Sequence, residues 1–304
     1  MQEFEPPIRA LRLFEAIAET GGLVKAAARI GLSQSAASHA IASLERESGA
    51  ALVSRSQGAL RLSEAGVRLL PHVRQILQSL DAIREELAAE AGLCQGVIRI
   101  ASVPSLASTI IPPLIREFGV QSPGIAVHLH EGTDQEVADW VRRRVCHCGF
   151  AALPVEGVET HPLAKDEWII LAPAGEFEGQ LRTTLKQLHR RRFLLSGGGC
   201  EDHIRRLFDQ DHLPLPDHVL VRQMDTLQAM VAERLGVSVI PSLCLRQRPR
   251  RTHVLRLSPR RYRSIGLLLP PESTPTPALA RWIALAQRQF PALVKRIHSH
   301  LSTA

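Results

Sequence analysis

The stretch from Lys25 to Ser48 constrains the fold of this chain more than any other. Ala26, Ala27 and Ile30 predict one short helix with an apolar face, and Gly31 after it permits a sharp turn. Ser33 suits the N-cap of a second helix, because its hydroxyl can accept the unpaired amides of a first turn. Ala37, Ile41 and Leu44 are spaced four and three residues apart, so they share the buried face of that second helix. Gln34, Ser35, Ser38, His39, Ala42 and Arg46 fall on the other face, which is small, polar and almost uncharged in its first turns. A solvated helix is usually studded with Glu and Lys. A helix that enters a DNA major groove needs short side chains for close approach, and Gln, Ser or His to bond base edges and phosphates. Two short helices joined by a glycine-containing turn make a helix-turn-helix, although any small helical hairpin shares part of the pattern.

With 304 residues the chain has room for two or three domains, each with its own core. No apolar run reaches the length of a membrane span, and Met1 to Pro7 is acidic and proline-bearing rather than signal-like. Five cysteines, odd in number and irregularly spaced, fit a reducing cytoplasm better than a disulfide framework. The formal net charge of +7 suggests nucleic acid, but its location argues otherwise. Residues 1–92 hold 10 basic against 11 acidic side chains, and residues 93–304 hold 27 against 19. DNA affinity therefore has to come from locally placed arginines rather than bulk charge.

Ile8, Leu11, Phe14, Ile17 and Ala18 predict a first, supporting helix that Gly21-Gly22 ends. Past Gly49, Leu52 to Arg55 and Ala59 to Leu62 flank Gln57-Gly58, the pattern of a hairpin with a tight turn. Such a hairpin is a wing, and Arg55 and Arg61 on it can reach phosphates or the minor groove. Ser63 to Gly66 then opens a long helix in which Leu69, Val73, Ile76, Leu80, Ile83 and Leu87 alternate four and three residues apart, an a/d seam. Pro71 early in this run predicts a local kink. The seam is expected to pair with a second copy of the chain, with Leu80 buried only against that partner.

Ala26-Ala27, Leu32 to Ser38, Ile41, Leu44-Glu45, Gly49, Leu52, Arg55, Leu62 and Ala65-Gly66 together resemble the amino-terminal signature of LysR-type transcriptional regulators. Val53 departs from the family's usual Phe and Ser63 from its usual Thr, both conservatively. The resemblance implies a winged helix-turn-helix over residues 1–62, a dimerising linker helix over 63–92 and an effector domain over 93–304. That domain is expected to be two-lobed, α/β and similar to periplasmic binding proteins, with lobe I over about 93–166 and 268–304 and lobe II over about 167–267. The implied partners are double-stranded DNA at an interrupted palindrome, a small organic anionic effector, other copies of the chain as dimer or dimer of dimers, and RNA polymerase. Ser33, Gln34, Ser35, Ser38, His39 and Arg46 are then expected at the DNA, with Arg55 and Arg61 on the wing.

Beyond residue 93 the pattern itself alternates strands and helices, which predicts a parallel α/β sheet. Strands are expected at Gly96–Ala101, Ile125–His130, Cys148–Leu153, Trp168–Ala172, Phe193–Leu195, Val219–Arg222, Val237–Ile240 and Ser264–Leu269. After the first strand Ser102 to Ser108 leads into the stretch Ile110–Phe118, and helices are expected near Thr133–Arg143, Asp202–Asp209, Leu227–Leu235 and Pro277–Arg288. Ligands in open α/β sheets sit at the carboxyl ends of strands, where helix N-termini point free amides at anions. That rule singles out Ser102, Pro104, Ser105 and Thr133 from one lobe, and Ser196, Gly197, Gly198, Met224 and Thr226 from the other. Taken singly, each such turn is a helix cap. Together, on the turns the family uses, they suggest an effector site.

The rival reading is an enzyme: Cys200 at a helix start with His203 one turn on could be a nucleophile and its base, or two metal ligands joined by Cys146, His147 and Cys148. The chain has no paired CxxC, HExxH or GxSxG, and alternation across a strand separates His147 from its flanking cysteines. Neither catalysis, metal nor cofactor is expected. The runs Arg142–Arg144, Arg190–Arg192, Arg246–Arg251 and Arg260–Arg263 read as solvated faces, or as contacts for an oligomer or an anion.

Overall fold

A computed structural model describes residues 4–56, 59–90 and 96–302 of the chain. Two compact units emerge, one of residues 1–93 with 143–145 and one of the remainder. The first unit contains helices α1 (Ile8–Thr20), α2 (Leu23–Arg29) and α3 (Gln34–Ser48), a hairpin of β1 (Val53–Ser56) and β2 (Ala59–Leu62), and the long helix α4 (Glu64–Glu90). Gly21, Gly31 and Gly49 lie at φ +66°, +67° and +66°, where side-chain-bearing residues are strained, and each ends a helix or the turn after it. The core gathers Leu13, Phe14 and Ile17 of α1 with Ala26 and Ala27 of α2 and Ala37, Ile41 and Leu44 of α3. The alanines let the helix backbones approach, and each large side chain removed from water contributes about 2–3 kcal/mol.

The hairpin is docked onto α3 by one carboxylate. Glu45 Oε1 accepts from the backbone amides of Leu52 and Val53 at 2.8 and 3.0 Å. β1 and β2 pair antiparallel from Val53↔Leu62 to Ser56↔Ala59. The expected turn at Gln57-Gly58 lies outside the described residues, as does the Arg55 side chain. Ser63 then starts α4, donating to the Ala51 carbonyl at 2.6 Å and accepting from Gly66 N–H at 3.0 Å. Gly66 is obligatory, since a Cβ there would stand 2.2 Å from the Leu52 carbonyl oxygen.

Helix α4 corrects the expected seam. Val73, and Leu77 outside the seam, are 1% and 3% exposed in the first unit's own core, and Leu69 and Leu80 pack against it half-buried. Of the expected seam residues, Ile76, Ile83 and Leu87 stand in solvent, at 47%, 53% and 63%. At 100° per residue these three lie within about 40° of one another, Leu80 and Val73 adjoin them on one side, and Leu77 stands about 100° from Ile76. Leu80 therefore does not bury only against a partner.

The second unit opens with β3 (Gly96–Ser102), α5 (Pro104–Ala107), α6 (Ile111–Gln121), β4 (Ile125–Glu131), α7 (Asp134–Arg142) and β5 (Cys148–Leu153). It continues through β6 (Glu159–Pro173), β7 (Arg182–Thr183), α8 (Leu185–Leu188), β8 (Phe193–Ser196), α9 (Glu201–Gln210), β9 (His218–Val221) and α10 (Met224–Ala232). It closes with β10 (Ser238–Pro241), a 3-10 turn at Ser242–Cys244, β11 (Thr252–Leu257), β12 (Tyr262–Leu269) and α11 (Pro277–Ser302).

The sheet is mixed, not parallel as expected. β3 pairs parallel with β4 and β5, but β12 runs antiparallel to both β5 and β6, and β10 and β11 run antiparallel to β6. β6 is one 15-residue strand rather than a fresh start at Trp168. Its first half, Glu159 to Glu167, pairs with β12, and its second, Trp168 to Pro173, pairs with β10 and β11. One strand is thus the spine of both lobes. β12 lies wholly beside β5 and the first half of β6, so the chain is back in the first lobe's sheet from Tyr262 onward. On that lobe Trp282 of α11 meets Phe118 edge-on at 5.3 Å, and Phe290 stacks on Phe150 at 5.9 Å. The second lobe buries Trp168, Ile170, Phe193 and Phe208 in one cluster, and Ile169, Leu171, Leu227 and Ile240 in another.

Candidate nucleic-acid interface and ligand cleft

The outward face of α3 is open. Gln34, Ser35, Ser38, His39, Ala42 and Arg46 stand toward solvent, whereas Ala37 and Leu44 behind them are 0% exposed. Ser33 caps the helix, its hydroxyl accepting from the Ala36 amide at 3.2 Å and lying 3.1 Å from the Ser35 hydroxyl. Arg46 donates to Ser43 at 2.9 Å, along the helix. Arg61 on β2 is exposed. The face thus offers amide, hydroxyl and imidazole groups on short stems, the set that hydrogen-bonds base edges at close range.

The floor between the two lobes is the opposite kind of site. Arg263 of β12, 6% exposed, donates through Nε and Nη2 to Asp166 at 2.9 and 2.8 Å, and through Nη2 to the Ser105 hydroxyl at 2.7 Å. Asp166, fully buried on β6, also accepts from the Ser242 hydroxyl at 2.6 Å and the Leu243 amide at 3.1 Å. Burial pushes its carboxyl up, but the Arg263 guanidinium, with His298 near it and the Ser242 hydroxyl bonded to it, outweighs that and holds it below the usual range. Burial would likewise strip the Arg263 proton, and Asp166 holds it on. Nearer the mouth, Asp134 at the start of α7 joins His203 of α9 at 2.9 Å while accepting from the Ala152 amide at 2.6 Å. Gly199, at φ +89°, lets its turn come close to Thr133, to which an added Cβ would lie 3.6–3.8 Å. The lobes therefore meet through Thr133 and Asp134 on one side and Gly199 and His203 on the other.

Residues 8–67 match the family model for the bacterial regulatory helix-turn-helix protein of the lysR family, and residues 91–291 match that for the LysR substrate binding domain. The chain belongs to the LysR family of transcriptional regulators. It is a DNA-binding transcription regulator with an effector-binding domain. A relative in Bacillus subtilis, the uncharacterized HTH-type transcriptional regulator YvbU, is 30% identical over 289 residues, covering 94% of this chain and 99% of its own. Among solved structures, a full-length point variant of OxyR from Pseudomonas aeruginosa superposes with a TM-score of 0.74 at 23% identity, covering 97% of this chain and 95% of that one. Full-length CbnR complexed with its target DNA superposes at 0.63 and 24% identity, covering 93% and 99%. Among the described residues of this LysR-type regulator, no helix is long and apolar enough to cross a membrane.

The effector residues expected from the regulator's sequence are placed unevenly. Ser102 is fully buried and its hydroxyl donates to the Val103 carbonyl at 3.2 Å, while Ser105 is committed to Arg263. Thr133 caps α7 in a reciprocal box: its amide and hydroxyl donate to Glu136 at 2.8 and 2.9 Å, and the Glu136 amide returns to its hydroxyl at 3.3 Å. These bonds from Thr133 hold the Glu136 carboxyl below its ordinary value. Gly197 and Gly198 pack where a Cβ would strike Leu220 and the Arg222 carbonyl, and Ser196 is 2% exposed. Pro104 opens α5 half-buried. Met224 packs on the second lobe's core and Thr226 is exposed at the start of α10. Thr133 is brought to the Gly199 turn, whereas Thr226 has no described bond to the first lobe.

Asp134, Asp166, His203 as a lobe-bridging group, Ser242 and Arg263 were not among the expected cleft residues. The available signal was a carboxylate at Asp166 shortly before the apolar run Trp168–Ala172, and an arginine at the edge of the apolar run Ile265–Leu269. Charges abutting continuous core strands are rarely buried without partners. The neighbouring Cys244 thiol, with Arg263 and His203 acting against burial, draws the Cys200 thiol down, and Cys200 and burial push Cys244 up. His203 bonds Asp134 and not Cys200, so no nucleophile–base hydrogen bond forms between them. On β5, burial and the neighbouring Cys146 push the Cys148 thiol up.

Proposed function

We propose that this regulator reads an interrupted, roughly two-fold symmetric operator through Ser33, Gln34, Ser35, Ser38, His39 and Arg46 of α3, with Arg55 and Arg61 of the wing on the adjoining backbone or minor groove. The observation that carries the reading is the combination on α3 of a buried apolar face with an open, nearly uncharged face of short polar side chains. The stripe Ile76, Ile83 and Leu87 on α4 pairs two copies, which brings two recognition helices to DNA one or more turns apart. Residues 1–62 are the DNA-binding part and 63–92 the pairing helix. In the effector domain, Ser102–Ser105 and Thr133 of one lobe and Ser196–Gly198, Met224 and Thr226 of the other receive a small organic anion. The N-termini of α7, α9 and α10 supply amides suited to such an anion. A ligand touching both lobes shifts the open–closed equilibrium only by its difference in affinity for the two states. The protein acts in the cytoplasm, contacts RNA polymerase in doing so, and performs no catalytic step.

The test is selection of bound fragments from random DNA by the full-length protein, followed by footprinting. A two-fold repeat with an unread spacer supports the reading. A single asymmetric half-site bound by one chain overturns it.

A further inference from the structure

A second cavity lies beside the cleft floor and shares Ser242 with it. It opens where β6, β7, β11, the Ser242–Cys244 turn and the end of α11 meet, and holds about 340 Å³. None of the candidate effector turns lines it. One wall is a row across three strands: Ile169 of β6 is the register partner of Arg256 on β11, and Arg256 is the partner of Arg182 on β7. Register partners point to the same face of a sheet with their strands about 5 Å apart. Two guanidinium stems therefore stand side by side at the cavity wall.

A third arginine joins them. Arg248 donates through Nε and Nη2 to the Thr252 carbonyl at 2.9 and 2.7 Å, which fixes the direction of its guanidinium. The one carboxylate in the lining, Glu167, is already gripped at both oxygens by Arg260, each at 2.8 Å. The lining is therefore rich in positive charge. His253 and His298 add imidazoles to the same wall, and Ile169 and Val254 give it a short apolar floor. The volume is at the lower end of that of small-molecule sites. The planar guanidinium fork matches carboxylate and phosphate oxygens two at a time.

We propose that this cavity is a second ligand site, for a small organic dianion whose two negative charges sit on carboxylates or on one phosphoryl group, held by Arg182, Arg248 and Arg256. The dianion gains charge-assisted hydrogen bonds from guanidinium groups whose stems the strand register sets on neighbouring strands. The proposal does not rest on the effector reading of the cleft turns, none of which lines this cavity.

Calorimetry on the full-length protein tests it, with succinate and inorganic phosphate as the two probes at constant ionic strength and sodium chloride as the control. One probe should bind saturably, once per chain, and its identity separates the carboxylate from the phosphoryl source. Arg182→Gln with Arg256→Gln should weaken that binding about tenfold or more, since two charge-assisted contacts are lost. Arg182 is exposed, so Arg182→Gln alone should fold as the wild type does and still weaken binding severalfold. Thr226→Ala, at the cleft, should leave it unchanged. Saturable binding by neither probe, binding that survives Arg182→Gln undiminished, or binding abolished by Thr226→Ala would each overturn the site.

Discussion

The outer face of α3 and the floor between the lobes are built from similar polar groups and use them in opposite ways. On α3, Gln34, Ser38 and His39 stand toward solvent with no described protein partner. Between the lobes, Ser105, Ser242, Asp166 and Arg263 are buried and hold one another at hydrogen-bond distance. A polar group buried without a partner costs several times what a made hydrogen bond returns, so the floor must be satisfied internally. The helix face has no such obligation, and its bonds are left for another molecule. A substitution should therefore cost folding in one region and recognition in the other.

The largest expected effect is at the floor. Asp166→Asn leaves the Arg263 charge buried without its counter-ion, and should cost about 3–5 kcal/mol of stability in denaturant unfolding. A loss below about 1 kcal/mol would mean that water reaches the pair. Gln34→Ala is the counterpart: roughly 1–3 kcal/mol of operator discrimination lost in competition binding, with the unfolding midpoint unchanged. If the midpoint moves and discrimination does not, α3 is a structural helix and the contrast fails.

A pH titration sharpens the same comparison. Burial, with Arg99 close by, depresses His147 from its ordinary 6.5 to about 3, so the folded protein keeps it neutral. The unfolded chain takes up the proton below 6.5 and the folded one does not until about 3. Stability from this group is therefore fully present above pH 6.5 and falls through that window, by at most about 1.4 kcal/mol per pH unit. Subtracting the stability–pH curve of His147→Gln from that of the wild type should reveal this slope, and parallel curves would remove the assignment. Ser33→Ala, which deletes the α3 cap, should cost about 1 kcal/mol in thermal unfolding. Ser38→Ala is the smallest, within about 0.5 kcal/mol in stability. On α4, Ile83→Asp rather than Leu80→Asp is the test of pairing by sedimentation, because Leu80 also packs on the first unit's own core.

Much of the fold was legible because its signals are local. Ser33 caps and Gly31 and Gly49 turn wherever their helices begin and end, and Ala37, Ile41 and Leu44 repeat at the helical period. Strand positions such as Cys148–Leu153 followed from short apolar runs between turns. β11 was missed because Thr252–Leu257 sits among arginines that mask its alternation, and β7 because two residues carry no period. In the cleft, caps and ligand turns share the same residue types. Thr133 shows the overlap: its hydroxyl caps α7 through Glu136, on a turn that is also proposed to meet the effector.

By itself the sequence determined where most of the longer helices and strands lie, that α3 hides one face and shows another, and that the chain resembles LysR regulators. Those properties depend on spacings of a few residues, which a linear string displays directly. Only the tertiary structure decided that β6 serves both lobes and that β12 runs antiparallel beside it. It alone turned Val73 and Leu80 inward and left Ile83 outside. It also brought Arg263 to Asp166 across 97 residues and Arg182 beside Arg256. A helical or strand period says that a residue has a partner face, and chain connectivity over long separations selects which face that is.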